Sequence, residues 1–132
     1  MTAETDLTRL LHNMRPELNQ GDYVFCSLPT WDGPSPAGTI ASFREREGQT
    51  FILPKTTADA LGWEYPITCA WITLTVNSSL EAVGLTAAVS TALGRVGISC
   101  NMVAAYYHDH IFIPTQDATR ALHTLLKLSA AS

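Results

Sequence analysis

The sequence has few charged residues, and its basic residues are especially scarce. Only 15% of the side chains are charged, with 8 basic against 12 acidic ones. A general nucleic-acid binder needs clustered Lys and Arg to neutralise phosphates, and here these residues are scattered over the whole chain. The composition therefore argues against nucleic acid as a partner. Because 46% of the residues are hydrophobic, we expect part of the surface to be covered in an oligomer, most simply a homodimer.

Cysteine is rare and widely spaced. The three cysteines, Cys26, Cys69 and Cys100, form no CxxC pair. This count and spacing indicate neither a disulfide framework nor a structural zinc site. We therefore expect reduced thiols packed in the core, with no metal and no cofactor.

Long apolar runs are also missing. No stretch approaches the roughly 18 residues that a membrane-spanning helix needs. The acidic segment Met1–Asp6 lacks the basic region and apolar run of a signal peptide. We therefore expect a cytoplasmic protein without a membrane partner.

The first half of the chain predicts two helices and three strands around an irregular loop. Leucines at helical spacing indicate the first helix, β-forming residues indicate the strands, and Gly62 marks the end of the second helix. Three prolines and two glycines exclude regular structure from the loop Pro29–Gly38. The predicted elements are Leu7–Met14, Tyr23–Leu28, Thr39–Glu45, Thr50–Leu53 and Lys55–Leu61.

The second half predicts the order β-α-β-β-α. In its first strand, Cys69–Val76, Ile72, Leu74 and Val76 alternate with polar or aromatic residues, which is typical of a strand with two different faces. A helix follows over Leu85–Val96, and Gly97 ends it. The remaining elements are a hairpin of Ser99–Tyr107 and Ile111–Ile113 that turns at His108–His110, and a helix over Ala118–Leu126.

The two halves share a repeated pattern. Phe51–Pro54 in the first half corresponds to Ile111–Pro114 in the second, and each precedes a helix that contains alanine. The extra residues of the first half fall on the proline-rich loop, where an insertion costs least. We therefore predict an α+β fold of two tandem ferredoxin-like modules, residues 1–66 and 67–132, with antiparallel sheets and helices packed on one face.

Two motifs of the second half resemble those of the ACT domain, a small amino-acid-sensing module. They are Val83–Thr86 after the first strand, and the sequence Gly-Ile-Ser-Cys-Asn at Gly97–Asn101. The longer run from Trp71 to Pro114 is similar to small stand-alone bacterial ACT-like proteins, whose relatives include cytosolic arginine sensors of animals. The resemblance implies a tandem ACT-like fold, an amino acid or similar molecule bound between ACT modules, and regulation rather than turnover.

The predicted ligand site combines a helix start with a hairpin. Gly84 would let a small molecule approach the backbone, and the free N–H groups of a helix start attract a carboxylate. By the resemblance, Asp109 corresponds to an acidic residue that contacts the ligand's cationic end. The predicted contacts are Asn77, Ser78, Ser79, Val83, Gly84, Leu85, Thr86, Tyr106, Tyr107, Asp109 and His110.

Each of these residues also has a simpler structural interpretation. Ser78 and Glu81 have the form of a capping box, and Gly84 would then only ease packing of the helix. Asp109 would be a residue favoured by a hairpin turn. Tyr106 and Tyr107 would pack in the core or in an interface.

A different class of function is also consistent with the sequence. His108 and His110, at positions i and i+2, point to one face of an extended chain and could bind a metal or provide acid–base chemistry in a small enzyme. No third metal ligand is identifiable in the same stretch. A third alternative is a structural module that docks a larger enzyme. Trp31, Trp63 and Trp71 lie in different predicted elements, so we expect no common stacking surface.

Overall fold

The structure, a computed structural model, describes residues 6–76 and 84–132. The chain forms two compact units. Unit 1 combines the segment that ends at Asn19 with the segment that begins at Ala70, and unit 2 is the continuous segment Gln20–Cys69. Helices and antiparallel strand pairs occur in both units, which confirms the predicted α+β class. Within the described ranges, no helix is both long and apolar enough to span a membrane.

The described elements follow the order helix, four strands, helix, strand, helix, two strands and helix. They are α1 (Leu7–Asn13), β1 (Arg15–Leu18), β2 (Tyr23–Leu28), β3 (Ala41–Arg44), β4 (Gln49–Pro54), α2 (Lys55–Leu61), β5 (Cys69–Thr75), α3 (Leu85–Arg95), β6 (Asn101–Ala104), β7 (Asp109–Pro114) and α4 (Ala118–Ala130). A short 3₁₀ turn, Thr115–Asp117, precedes α4.

Unit 1 has a core between its strands and its helices. Strand β5 pairs with β1 on one side, β7 lies on the other, and β6 pairs with β7. The face of β5 that carries Ile72 and Leu74 is fully buried and meets the apolar stripes of α1, α3 and α4. Each large aliphatic side chain buried in this way stabilises the fold by about 1.5–3 kcal/mol. The helical residues in this core include Leu10, Leu85, Val89, Leu93, Ala121 and Leu125.

Helix α1 comes from the first half of the sequence but packs in unit 1, against α3 and α4. Its last turn is tied to α4 by polar contacts. The Ser129 hydroxyl lies 3.1 Å from the carbonyl oxygens of both His12 and Met14. The Arg15 guanidinium donates to the same two carbonyls at 2.9 and 3.0 Å. These bonds satisfy carbonyl groups that the end of a helix would otherwise leave open.

Unit 2 is built on the antiparallel strands β3, β4 and β2, with β4 in the middle. Val24, Phe51 and Leu53 form its core together with Cys26 of β2 and Ala58 of α2. Between β2 and β3, the proline-rich loop Pro29–Gly38 contains no helix or strand, as predicted. Trp31 and Trp63 meet edge to face at 5.4 Å and both contact Phe51. Trp71 instead stacks on Phe112 in unit 1, so the three tryptophans form no common stacking surface, as expected.

Most of the predicted elements are confirmed within the described residues. Both strand–proline–helix repeats are present, because β4 and β7 end at Pro54 and Pro114 directly before helical turns. Strand β1 was not predicted, since Pro16 and Glu17 are poor β-formers; its pairing with β5 overrides that preference.

The three cysteines are free thiols, as expected. Cys26 and Cys69 are buried and Cys100 is half-buried, and burial raises the pKa of each thiol.

We predict that Gly48→Ala destabilises the protein by about 2 kcal/mol or more. Gly48 has a positive φ of 156°, and a Cβ atom there would overlap the carbonyl oxygen of Leu28, which is backbone and cannot rotate away. Thermal and urea unfolding would measure the change. Gly94→Ala is the matched control, because Gly94 lies inside α3 with open space around it. That change should be neutral or stabilise by up to about 1 kcal/mol.

Candidate functional site

The helix start predicted to bind the ligand is partly described. Asn77, Ser78, Ser79 and Val83, together with the predicted capping box, lie outside the described residues. Gly84 is the N-cap of α3, in the left-handed conformation with φ 102°. Its carbonyl accepts the first helical bond from Ala88 at 2.8 Å. Leu85 is buried in the core of unit 1 and Thr86 is exposed.

Gly84 also makes a close approach to α1. A Cβ atom at this position would lie 2.9 Å from the nearest methyl carbon of Leu7. Together with the positive φ, this approach means that any side chain at position 84 strains the fold. Substitution of Gly84 would therefore lower stability whether or not a ligand binds, and it cannot by itself test binding.

A groove of about 450 Å³ borders Gly84 in unit 1. Its surface is mainly small and apolar, and Arg95 is the charged residue among those that line it. Among the predicted site residues that the structure describes, Gly84 lines this groove, whereas Leu85, Thr86, Asp109 and His110 do not. The lining residues are Leu7, Gly84, Ala87, Ala88, Thr91, Ala92, Arg95 and Leu128.

The predicted hairpin is present, but its turn lies earlier than expected. Strands β6 and β7 pair from Asn101↔Phe112 to Ala104↔Asp109, and Ala105 donates to the carbonyl of His108 at 3.0 Å. Asp109 and His110 are therefore strand residues, and the interpretation of Asp109 as a turn residue is wrong. Tyr106 and Tyr107 occupy the turn instead, 77% and 69% exposed, with their rings edge to face at 5.0 Å.

Asp109 is a buried carboxylate. It is 8% exposed, and no described Lys or Arg forms an ion pair with it. Burial raises the pKa of the Asp109 carboxyl, while the neighbouring His110 and His108 oppose that change. A negative charge held in this way costs free energy unless a cation or hydrogen-bond donors compensate it.

His110 belongs to a hydrogen-bonded network on the second face of β5. The indole Nε1 of Trp71 donates to Nδ1 of His110 at 3.1 Å, and the hydroxyl of Thr73 lies 3.1 Å from the same nitrogen. Asn19 extends the network, because its side-chain amide donates to Thr73 Oγ1 at 2.9 Å. An indole N–H can only donate, so Nδ1 must accept and His110 is neutral, with its proton on Nε2.

The network includes residues that the sequence did not single out. The alternation along β5 placed Trp71 and Thr73 on one face, but nothing in the sequence linked them to His110 or to Asn19. Asn19 also binds the backbone of Trp71, since its own backbone N–H donates to the Trp71 carbonyl at 2.9 Å. On the same strand, Thr75 Oγ1 is buried and has no hydrogen-bond partner among the described residues.

The structure places the two histidines of the suggested metal pair in different hydrogen-bonded surroundings. His108 lies in the turn, where its Nδ1 is 3.2 Å from the Val76 carbonyl, whereas Nδ1 of His110 accepts from Trp71. In the described part of the chain, no group of three His, Cys, Asp or Glu side chains is arranged to hold a metal ion.

We predict that protonation of His110 destabilises the protein at mildly acidic pH. Burial, followed by the neighbouring His108, lowers the pKa of His110 below its ordinary value near 6.5, and Asp109 opposes this shift. The unfolded chain therefore binds the proton first, so stability should fall as the pH drops below about 6.5. His110→Asn should show a smaller loss over this range when melting temperatures are compared.

The exposed His123 provides the matched control. His123→Asn should leave the pH dependence of wild type unchanged. An equal acid-induced loss in His110→Asn and wild type would contradict the assignment of this dependence to His110.

Comparisons with known proteins were consistent across the chain. Residues 2–70 match a family model described as an ACT domain, and residues 67–127 match a second model with the same description. Among curated proteins, none matches the sequence.

Solved structures with similar folds extend over most of the chain. A Vibrio cholerae protein of unknown function, described as a possible transport protein, is 45% identical over 93% of this chain and 95% of its own, with a TM-score of 0.80. An Agrobacterium tumefaciens protein is 14% identical, covering 88% and 89% of the two chains, with a TM-score of 0.73. The ligand-free regulatory subunit of aspartate kinase from Thermus thermophilus is 13% identical, covering 89% and 97%, with a TM-score of 0.66. The last two similarities concern the fold alone.

Proposed function

Because the chain belongs to the ACT domain family, we propose that it binds an amino acid and regulates a partner, or a second copy of itself, without catalysing a reaction. Family membership supports a regulatory role based on the binding of a small molecule. We propose in addition that the molecule is an amino acid, that it binds at the residues named below and that the protein is a dimer. Regulation requires that the ligand prefer one of two states of the protein.

The observation that carries the proposal is the buried carboxylate of Asp109. It is 8% exposed and lacks a Lys or Arg ion-pair partner among the described residues. The ammonium group of an amino acid would supply the compensating charge and up to three hydrogen-bond donors. The free energy lost by burying Asp109 in the empty protein would then be recovered on binding.

The helix start at Gly84 suits the other end of an amino acid. The first N–H groups of a helix have no partner within it, and they attract a carboxylate. Gly84 has no side chain to cap them, and among the described residues no side chain makes a cap bond to this helix. The neighbouring residues Asn77, Ser78, Ser79 and Val83 stay predicted contacts. The same holds for Leu85, Thr86, Tyr106, Tyr107 and His110.

We predict that Asp109→Asn has opposite effects on stability and on binding. The substitution removes a buried charge with a raised pKa, so the empty protein should be as stable as wild type at pH 7, or more stable. Affinity for the amino acid should fall at least about tenfold, since a charge-assisted bond is lost. A melting-shift screen of the twenty amino acids identifies the ligand, and calorimetry then compares the variant with wild type.

Glu17→Gln is the matched control, because it removes the same charge from an exposed position on β1 of the same unit. It should bind like wild type. The proposal would be abandoned if no amino acid raised the melting temperature at about 10 mM, where even weak binding stabilises measurably. It would also be abandoned if Asp109→Asn retained full affinity.

We also expect a homodimer. Strand β6 pairs only with β7 among the described residues, so its second edge is open to another chain. Light scattering coupled to size-exclusion chromatography should therefore give twice the mass of 14.3 kDa. A monomer at all concentrations up to about 100 μM, well above the micromolar or lower Kd of a standard-size interface, would contradict this expectation.

A further inference from the structure

The proline-rich loop of unit 2 is held in one conformation by its own contacts. Trp31 donates from its indole Nε1 to the carbonyl of Pro34 at 3.1 Å. The same ring meets Phe51 and Trp63 edge to face, with centroids 5.5 and 5.4 Å away. Trp31 therefore cannot rotate without losing a hydrogen bond and two favourable aromatic contacts.

Further hydrogen bonds join the far end of the loop to α2 and to the residue that follows the loop. The Thr57 hydroxyl on α2 donates to the carbonyl of Ala37 at 3.1 Å. Thr39 donates to the carbonyl of Pro36 from its hydroxyl at 2.7 Å and from its backbone N–H at 3.2 Å. The loop and the helix are thus two connected walls.

A groove of about 610 Å³ lies between these walls. This volume is within the range of about 300–1,000 Å³ that is usual for small-molecule sites. Most of the surface is apolar, with hydroxyl groups from three residues. The lining residues are Trp31, Asp32, Pro34, Ser35, Pro36, Ala37, Thr56, Thr57, Ala60 and Leu61.

The charge of the groove indicates which kind of molecule fits it. Asp32 is charged, and no Lys or Arg is among the residues that line the groove. Trp31 is 38% exposed, so part of its ring is available to a ligand. An indole ring attracts cations most strongly among the aromatic side chains, and a nearby carboxylate adds to that attraction. An anionic molecule would meet only repulsion from Asp32.

We propose that the groove between the loop Pro29–Gly38 and α2 binds a small organic ammonium ion with an apolar body. The ammonium group would lie against Trp31 and Asp32, and the apolar body would lie along Pro34, Ala60 and Leu61. All of these residues belong to unit 2, so this site is separate from the one proposed at Asp109 and Gly84 in unit 1.

The test uses 2-phenylethylammonium as the probe and 3-phenylpropionate as its anionic counterpart of similar shape. In wild type, the probe should shift the NMR signal of the Trp31 indole N–H saturably, with a Kd on the order of 1 mM, as expected for a ligand of this size. Trp31→Phe assigns the signal. The anionic molecule should bind at least about tenfold more weakly.

Two substitutions test the two halves of the site. Ala60→Leu fills the groove from an exposed helical position at little cost to the helix, and it should abolish the shift. Asp32→Asn should weaken binding about tenfold, since a charge-assisted contact is lost. Glu64→Gln is the matched control: it removes the same charge from an exposed residue of unit 2 that does not line this groove, and it should bind like wild type.

Three results would overturn the proposal. The first is the absence of a saturable shift in wild type up to about 20 mM, well above the expected Kd. The second is equal binding of the anionic molecule. The third is an equal loss in Glu64→Gln and Asp32→Asn, since the effect would then come from net charge rather than from this groove. Asp109→Asn should leave the shift intact, which separates this test from that of the unit 1 site.

Discussion

Burial of β5 on both faces is the constraint on which unit 1 depends. The face with Ile72 and Leu74 is the floor of the apolar core, where hydrophobic burial drives the packing of three helices. The opposite face carries Thr73, which is buried, and Trp71, which is half-buried. A buried donor or acceptor costs about 1–3 kcal/mol when left unpaired, so this face requires partners.

Those partners explain why distant segments meet at β5. Asn19 reaches across to Thr73 and to the Trp71 carbonyl, and His110 accepts from the Trp71 indole. The network thereby fixes the residue next to Asp109, which is held in an environment that disfavours its charge. The hydrogen-bonded network therefore stabilises the strands around a carboxyl group whose charged form is itself destabilised by burial.

The sequence predicted the parts of the fold that depend on local patterns. The alternation in β5, the apolar stripe of α3, and the prolines that end β4 and β7 all act within a few residues, and these elements are present. Strand β1 could not be predicted from Pro16 and Glu17, because it exists through pairing with residues 54 to 60 positions later in the sequence. The predicted position of the hairpin turn was wrong by a few residues, because Asp is a residue type typical of turns but Asp109 pairs with Ala104 in the sheet. The turn contains Tyr106 and Tyr107 instead.

The candidate sites were less predictable, because they depend on three-dimensional proximity. Gly84 was singled out as a place of close approach, and its neighbour there is Leu7 of α1. The loop Pro29–Gly38 was correctly predicted to be irregular, but composition alone could not indicate that Trp31 would be locked against Phe51 and Trp63. The contacts of Trp31 in the folded protein fix the conformation of this loop, so that it forms one wall of the groove beside α2.

The placement of α1 has a consequence for synthesis on the ribosome. The hydroxyl of Ser129 bonds to the Met14 carbonyl across 115 positions of sequence, so α1 is translated long before the helix that holds it. A helix of seven residues is too short to persist alone in water. Unit 2 is one continuous segment and can form its core as soon as that segment has been translated, whereas unit 1 can form only after α4 has been translated. Until then Leu10 and Leu11 lack their final partners, and apolar side chains exposed in this way make a folding intermediate prone to aggregate.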